Sequence, residues 1–278
     1  MTGGGLVGNH EASILIGDGS EAIIERIDQQ IKHLARDKQI VPADARLIRE
    51  YARRHAIYGV HKKLAERRAQ RAFEQEGDLV VDTLKVILAE MRADTTERGF
   101  EAQRTARSDG RDKARELLAR ISTSPPLSEK SFLKLYEPLV AGLWHSGGLQ
   151  RGKNVVAKHA HAFQDALQSL SAVESLGVEK AFDVLHQRMR DVNRAGVNVI
   201  TEILHTLDNL RFAVMNQNSV AGLKLADVGG FPKNPNKENV DAAVYADFCG
   251  SAGDIRDRLG LKDFTELDAL FNYAYWAD

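Results

Sequence analysis

A helical stripe runs through residues 80–91, which read Val-Val-Asp-Thr-Leu-Lys-Val-Ile-Leu-Ala-Glu-Met. Its apolar side chains recur at steps of three and four residues, the period that places them on one face of an α-helix. Similar stripes occur on both sides of it, and no six-residue stretch alternates apolar with polar side chains as a half-buried strand does. The sequence therefore predicts an all-α fold.

Two helical subdomains are expected, because Ser122-Thr-Ser-Pro-Pro-Leu-Ser128 cannot continue a helix. We expect a flexible segment over residues 1–19, a basic helical domain over 20–121, a Ser/Pro-rich linker over 122–129 and a second helical domain over 130–278. Within the last of these, Pro138 should kink or split a helix. Asp263, with Glu266 three residues later, marks the start of the final helix.

The region from Ala93 to Arg115 is nearly devoid of apolar side chains, and charges of both signs alternate along it. This pattern is typical of a solvated helix or of a mobile linker. We expect one of these two structures there.

Composition excludes several classes of protein. The 278 residues include 38 basic and 39 acidic side chains, one cysteine and 43% hydrophobic residues, enough to fill a core without a strong net charge. The single Cys249 cannot form an internal disulfide or a cysteine-based zinc site, and it has no adjacent histidine to activate it. No segment resembles a membrane span or a secretory signal. We expect a soluble, cytoplasmic protein with no membrane partner.

Basic residues concentrate between Arg46 and Arg71, where nine cations face only two acidic residues. Interleaved tyrosines add a stacking surface, and arginines with aromatics suit phosphate neutralisation and base stacking. The expected nucleic-acid contacts are Arg46, Arg49, Arg53, Arg54, Lys62, Lys63, Arg67, Arg68 and Arg71. The alternative is a solvated basic face that docks on acidic neighbours. Such neighbours exist, since ten acidic residues face five basic ones from Leu225 onward.

The glycine-rich stretch Gly147-Gly-Leu-Gln-Arg-Gly-Lys-Asn154 has nearly the spacing of a nucleotide-binding phosphate loop. The segment before it has a helical pattern instead of a strand pattern, and Asn154 replaces the hydroxyl residue that would bind magnesium. We interpret it as a glycine turn with exposed basic side chains.

Two carboxylate and imidazole pairs, Asp183 with His186 and Glu202 with His205, have the spacing found in di-iron helix bundles. Such a site needs a further glutamate from each of two other helices. Glu174 and Glu179 lie near a helix break, where they suit that role poorly. We therefore expect packed histidines, no metal and no cofactor.

The stretch from Gly196 to Lys224 resembles the hairpin region of the helix-hairpin-helix DNA glycosylase superfamily. The resemblance implies that Gly196, at the start of a helix, contacts a DNA phosphate. Two positions depart from the family pattern. Asn198 replaces the second hairpin glycine and Asn216 replaces the catalytic aspartate, and an amide cannot act as a base. The resemblance thus implies a glycosylase-like helical shell without the glycosylase reaction.

The carboxy-terminal half also resembles helical modules that accompany bacterial restriction and other anti-phage systems. The matching segments are Ile203 to His205, Arg211 to Asn216 and Glu266 to Tyr273. This resemblance implies a role in bacterial defence or DNA processing and says nothing about reaction chemistry.

Three functions remain open. The leading expectation is a nucleic-acid-binding helical protein, with DNA as the preferred partner. The alternative is a non-enzymatic helical adaptor that binds another protein. A third is an enzyme acting on nucleic acid, with a site near Glu202, His205 and Asn216. Since no catalytic set is complete, enzymatic activity is the less favoured interpretation.

Overall fold

The fold is all-α, as predicted. The computed structural model describes residues 45–73, 81–170 and 175–276, together with residues 25, 29, 32, 33 and 36, and no strand occurs among them. The predicted flexible segment, residues 1–19, lies outside the described residues. None of the helices described is long and apolar enough to cross a membrane.

Eleven α-helices lie in the described part of the chain. They are α1 (Ala45–Phe73), α2 (Asp82–Ala93), α3 (Phe100–Thr123), α4 (Glu129–Pro138), α5 (Lys153–Ala157), α6 (Ala160–Gln168), α7 (Val178–Arg188), α8 (Val197–Leu207), α9 (Gln217–Leu225), α10 (Ala242–Arg258) and α11 (Phe264–Tyr275). A π-helical turn, Leu139–Leu143, follows α4, and a 3-10 turn, Leu149–Gly152, precedes α5.

The chain divides into two compact units, Met1–Tyr58 and Gly59–Asp278. Helix α1 contributes residues to both. The segment 122–129, expected to link two subdomains, falls inside the second unit. There the side chain of Gln164 donates to the carbonyls of Ile121 and Ser124 at 2.9 and 3.1 Å. The division of the chain at this segment stays a prediction.

Helix α3 lies at the centre of the second unit, where it packs against α2, α4, α6, α8 and α11. Part of this helix is the charged region expected to be a solvated helix or a mobile linker. The helix is exposed on one face and buried on the other, and within the charged region the buried face includes a paired arginine and small residues. Its buried residues are Phe100, Arg107, Gly110, Ala114, Leu118 and Ile121. The helical alternative holds, since most positions between Glu101 and Lys113 are exposed. The buried face was not predicted, because a buried arginine and glycine do not register as apolar.

The end of α4 bears out the expected effect of Pro138. The α-helix ends at this residue, and the chain continues as the π-helical turn Leu139–Leu143. The turn packs against α3, where a methyl group in place of the Gly110 hydrogen would lie 3.8 Å from the Leu143 carbonyl oxygen. The next residues, Trp144 to Ser146, reach the site described below.

Helix α11 closes the second unit by packing against α2, α3, α9 and α10. It begins where the sequence predicts, because Asp263 caps it by accepting hydrogen bonds from the backbone of Thr265 and Glu266 at 2.9 and 3.1 Å. Nine of its residues are buried, and they include the polar Thr265, Glu266 and Asp268. This helix therefore brings polar groups into the core.

Candidate nucleic-acid interface and buried polar cluster

The first unit carries four of the predicted nucleic-acid contacts on α1. Arg46, Arg49 and Arg54 are exposed, and Arg53 is half-buried. The guanidinium of Arg54 lies 2.6 Å from the Glu50 carboxylate. Among the described residues, Arg46 and Arg49 have no ion-pair partner. The side chain of Tyr58 is 60% exposed at the end of this unit.

The second unit carries the rest of the predicted basic stretch. Lys62 and Lys63 are exposed, and Lys62 lies 3.8 Å from Glu66. Arg68 forms an ion pair with Asp247 of α10. The side chain of Arg71 lies outside the described part of the chain.

Arg67 points inward, on the helix face that buries Val60 and Leu64. Its guanidinium donates to the carbonyl of Gly229 at 2.7 Å and lies 5.1 Å from the centre of the Phe231 ring. Together with the pairing of Arg68 and Asp247, this contact matches the alternative stated above, in which basic residues dock on the acidic carboxy-terminal region. Lys63 has neither an ion pair nor a hydrogen bond to the residues described.

Gly196 is the N-cap residue of α8, and its backbone is extended. Because glycine has no side chain, no side-chain hydrogen bond caps the first turn of this helix. A methyl group added at this position would meet no atom within 4 Å, so the space in front of the residue is open. The turn before it approaches the turn at residues 148–152. A Cβ on Gly152 would lie 2.9 Å from the Cβ of Arg194.

Four exposed arginines lie on or beside these adjoining turns. They are Arg151, Arg188, Arg190 and Arg194. None has an ion-pair partner in the part of the chain that the structure describes. Arg151 belongs to the glycine turn interpreted from the sequence, and the other three are separated from it by up to forty-three positions, so no short window along the chain shows the four as one basic group.

A group of buried and half-buried polar side chains lies where α3, α8 and α11 meet the residues that follow the π-helical turn. We call it the polar cluster, and its members are Arg107, His145, Glu202, His205, Thr265 and Asp268. Arg107 donates to Asp268 in a buried ion pair and to Gln103 at 3.0 Å. Of this group, the sequence pattern points only to Glu202 and His205.

Glu202 ties α8 to the segment after the π-helical turn. Its carboxylate accepts hydrogen bonds from the backbone of His145 and Ser146 at 3.1 and 2.8 Å. The residue is 3% exposed. Burial, followed by repulsion from Asp268, raises the pKa of Glu202 to about 7. Near neutral pH this carboxyl group is therefore divided between its neutral and ionised forms.

The two histidines of the polar cluster are held neutral. Burial lowers the pKa of His145 to about 4, with a further contribution from the Arg107 charge. Burial also lowers the pKa of His205. His205 Nδ1 lies 2.9 Å from the Phe212 carbonyl and Nε2 lies 3.1 Å from the Thr265 hydroxyl, so Nδ1 donates and Nε2 accepts. His145 Nε2 is buried and has no hydrogen-bond partner in the described residues.

Asn216 acts as a helix cap. Its side-chain oxygen accepts from the backbone of Ser219 at 2.9 Å, and the Ser219 hydroxyl accepts from the backbone of Asn216 at 2.9 Å. Its amide nitrogen donates to the Ser146 hydroxyl at 3.1 Å. Asn216, which replaces the catalytic aspartate of the glycosylase pattern, thus serves as the N-cap of α9.

The cavity beside the polar cluster is small. It has a volume of about 20 Å³ and is lined by residues of the cluster together with Trp144 and Thr206. A volume of ~15 Å³ on this scale accommodates one water molecule. The site considered for chemistry on nucleic acid, near Glu202, His205 and Asn216, therefore has no room for a nucleobase in this conformation.

The carboxylate and imidazole pair of α7 is engaged in local contacts. Asp183 accepts from the Gln187 side chain at 2.9 Å, and His186 Nε2 lies 3.2 Å from the carbonyl of Lys237. In the described residues no group of three or more His, Cys, Asp or Glu side chains could hold a metal ion.

The glycine-rich stretch from Gly147 to Asn154 does not have the geometry of a phosphate loop. It follows a π-helical turn and passes through the 3-10 turn into α5, which has only five residues. The Lys153 side chain forms an ion pair with Glu137. The stretch is a glycine turn, as interpreted from the sequence.

Comparisons with known proteins do not identify a relative. No protein-family model, curated protein or solved structure matches this chain. The resemblances to the helix-hairpin-helix glycosylases and to the anti-phage modules consequently stay predictions.

Proposed function

We propose that this chain is a nucleic-acid-binding helical protein. The observation that carries the proposal is the set of exposed cations on α1 within the first unit. Arg46, Arg49 and Arg54 are accompanied by a single acidic residue, Glu50, and by the exposed ring of Tyr58. Exposed arginines beside an exposed aromatic ring supply both phosphate neutralisation and base stacking.

The polar cluster supports a binding role over a catalytic one in this proposal. Its carboxylates and the His205 imidazole form hydrogen bonds inside the protein, and the adjoining cavity is too small for a substrate. Recognition would therefore use the protein surface. A role in bacterial defence or DNA processing stays a prediction.

Salt-dependent binding tests the proposal. The affinity of the intact chain for labelled duplex DNA and for single-stranded RNA is measured over a range of monovalent salt. We expect the logarithm of the affinity to fall linearly with the logarithm of the salt concentration. Binding no tighter than ~10⁻⁴ M at low salt, or binding insensitive to salt, would contradict the proposal.

A charge-matched pair of variants tests the role of α1. The test variant carries Arg46→Gln, Arg49→Gln and Arg54→Gln. The control carries Lys113→Gln, Arg120→Gln and Lys224→Gln, which remove the same charge at exposed positions elsewhere. If α1 contacts phosphates, the test variant loses about 0.9 in salt slope per contact, whereas the control changes little. If the salt slope fell equally in the test variant and the control, the effect would come from the overall charge of the protein and not from contacts made by α1.

A protein-binding adaptor is the second candidate function. Trp276 is 67% exposed beside a cleft of about 340 Å³ that is also lined by Arg98 and Tyr273. Tryptophan, tyrosine and arginine are the residues most enriched at the centres of protein interfaces. An adaptor predicts a partner that co-purifies with the intact chain and is lost from Trp276→Ser, while the absorbance ratio at 260 and 280 nm shows no nucleic acid. Nucleic acid that co-purifies with both forms would favour the first candidate.

A further inference from the structure

We propose that Arg151, Arg188, Arg190 and Arg194 form a second contact surface for the nucleic-acid backbone. This inference rests on the proposed function and adds a surface on the second unit. We call these four residues the arginine surface. Three observations carry it, namely the contact between the two turns, the unpaired state of the arginines and the low acidity of their surroundings.

The two turns that carry the arginine surface touch each other. Gly152 approaches Arg194 so closely that a Cβ on the glycine would lie 2.9 Å from the arginine Cβ. Arg151 is the neighbour of Gly152, whereas Arg190 and Arg194 belong to the turn between α7 and α8. The tertiary contact therefore brings cations from two distant parts of the chain onto adjoining surface.

The arginines of this surface are not committed to other groups. All four are exposed, and no ion pair to them occurs among the described residues. On α1, by contrast, Arg54, Lys62 and Arg68 each pair with a carboxylate. An unpaired guanidinium can direct two parallel N–H groups at one phosphate without first breaking an ion pair.

The surroundings add further positive charge. The Lys237 ammonium donates to the carbonyls of Met189, Arg190 and Val192 at 2.7, 3.2 and 2.9 Å. It thereby offsets the partial negative charge of the carbonyls at the end of α7. From residue 188 to residue 196 the only acidic side chain is Asp191. A polyanion would thus meet an excess of cations over the turn.

The binding of duplex DNA to a triple variant tests the arginine surface. The variant carries Arg151→Gln, Arg190→Gln and Arg194→Gln, and its control is the variant with Lys113→Gln, Arg120→Gln and Lys224→Gln. The probe is a fluorescein-labelled DNA duplex, titrated at several salt concentrations. We expect the salt slope to fall by about 0.9 for each lost phosphate contact, which at 0.1 M salt corresponds to a roughly eightfold loss of affinity per contact. Thermal unfolding of both variants verifies that they fold.

The outcomes separate this inference from the proposed function. If the intact chain binds DNA and the triple variant retains the affinity and salt slope of the control, the proposed contact of the arginine surface with the nucleic-acid backbone is overturned. The proposed function then stands. If the triple variant loses affinity and slope while the control does not, the inference holds, whatever the α1 variant does. If the intact chain binds neither DNA nor RNA, both are overturned.

Discussion

Arg107 and Asp268 form an ion pair inside the protein, with side chains only 5% and 8% exposed. The pair joins α3 to α11, two helices with many neighbours in the second unit. Buried ion pairs are costly to break, because the surviving charge remains in a medium that solvates it poorly. Loss of either partner should therefore destabilise the contact between these two helices.

Replacing Arg107 by methionine should destabilise the protein strongly. Arg107→Met leaves the Asp268 carboxylate buried without its cation, close to Glu202, so we expect the free energy of unfolding to fall by about 3–5 kcal/mol. Urea unfolding measures the change. Arg104→Met, at an exposed position of the same helix, should cost less than ~1 kcal/mol.

A second substitution should rescue this loss. When Asp268→Leu accompanies Arg107→Met, no charge is left unpaired, and most of the lost stability should return. If the double variant were as unstable as the single one, the loss would come from packing and not from an unpaired charge.

Glu202→Gln should remove a pH dependence of stability. The folded protein holds the Glu202 proton up to about pH 7, whereas an unperturbed glutamate releases it near 4.5. The parent therefore loses stability through this group as the pH rises from 4.5 to 7, by about 3 kcal/mol in total. The variant keeps an oxygen that can accept the two backbone hydrogen bonds and has no carboxyl group to ionise.

The measurement compares the two proteins at each pH. The difference in the free energy of unfolding between Glu202→Gln and the parent cancels the titration of other groups, including the histidines. We expect this difference to move in favour of the variant as the pH rises through the interval. Glu116→Gln, at an exposed position of α3, is the control. A difference that does not change with pH would show that Glu202 ionises normally in the folded state.

Gly222→Ala should destabilise α9, although alanine is the better helix former. A Cβ at this buried position would lie 2.1 Å from the Phe271 ring, which α11 holds in the core. We expect a loss of about 1–3 kcal/mol from overpacking. Gly250→Ala in α10 is the matched control, because it meets no atom within 4 Å, and it should gain up to ~1 kcal/mol. Thermal unfolding compares the two, and equal effects would argue against the close approach.

Asn216→Ala should cost about 1–2 kcal/mol, because it removes the side chain that caps α9. Asn216→Asp keeps an oxygen for the Ser219 backbone N–H and should cost less, although it cannot donate to the Ser146 hydroxyl. Chemical denaturation of both variants checks the order. An alanine variant as stable as the aspartate variant would contradict a capping role.

Sequence periodicity predicted the helices well where their buried faces are apolar. The stripe at residues 80–91 corresponds to α2, which buries Leu84, Leu88 and Met91. It failed for α3, where the buried face includes Arg107 and Gly110. Arg107 is buried because Asp268 of α11 pairs with its charge, and Gly110 is buried where the backbone of Leu143 packs against α3. Sequence periodicity contains no information about such distant partners.

The candidate site shows the same limit. The basic stretch on α1 was visible because its cations lie within one short segment of the chain, but the inward contact of Arg67 with Gly229 and Phe231 was not. The arginine surface was not visible as a unit, because Arg151 joins Arg190 and Arg194 only through the contact of Gly152 with Arg194.

The amino-acid sequence by itself determined the all-α class, the helix break at Pro138 and the cap at Asp263, because each depends on residues within a few positions of one another. Tertiary structure decided that α3 is central, that Glu202 is buried and has a raised pKa, and which arginines are exposed with no ion pair among the described residues. These properties depend on burial and on charges supplied by distant segments, so only the folded chain fixes them.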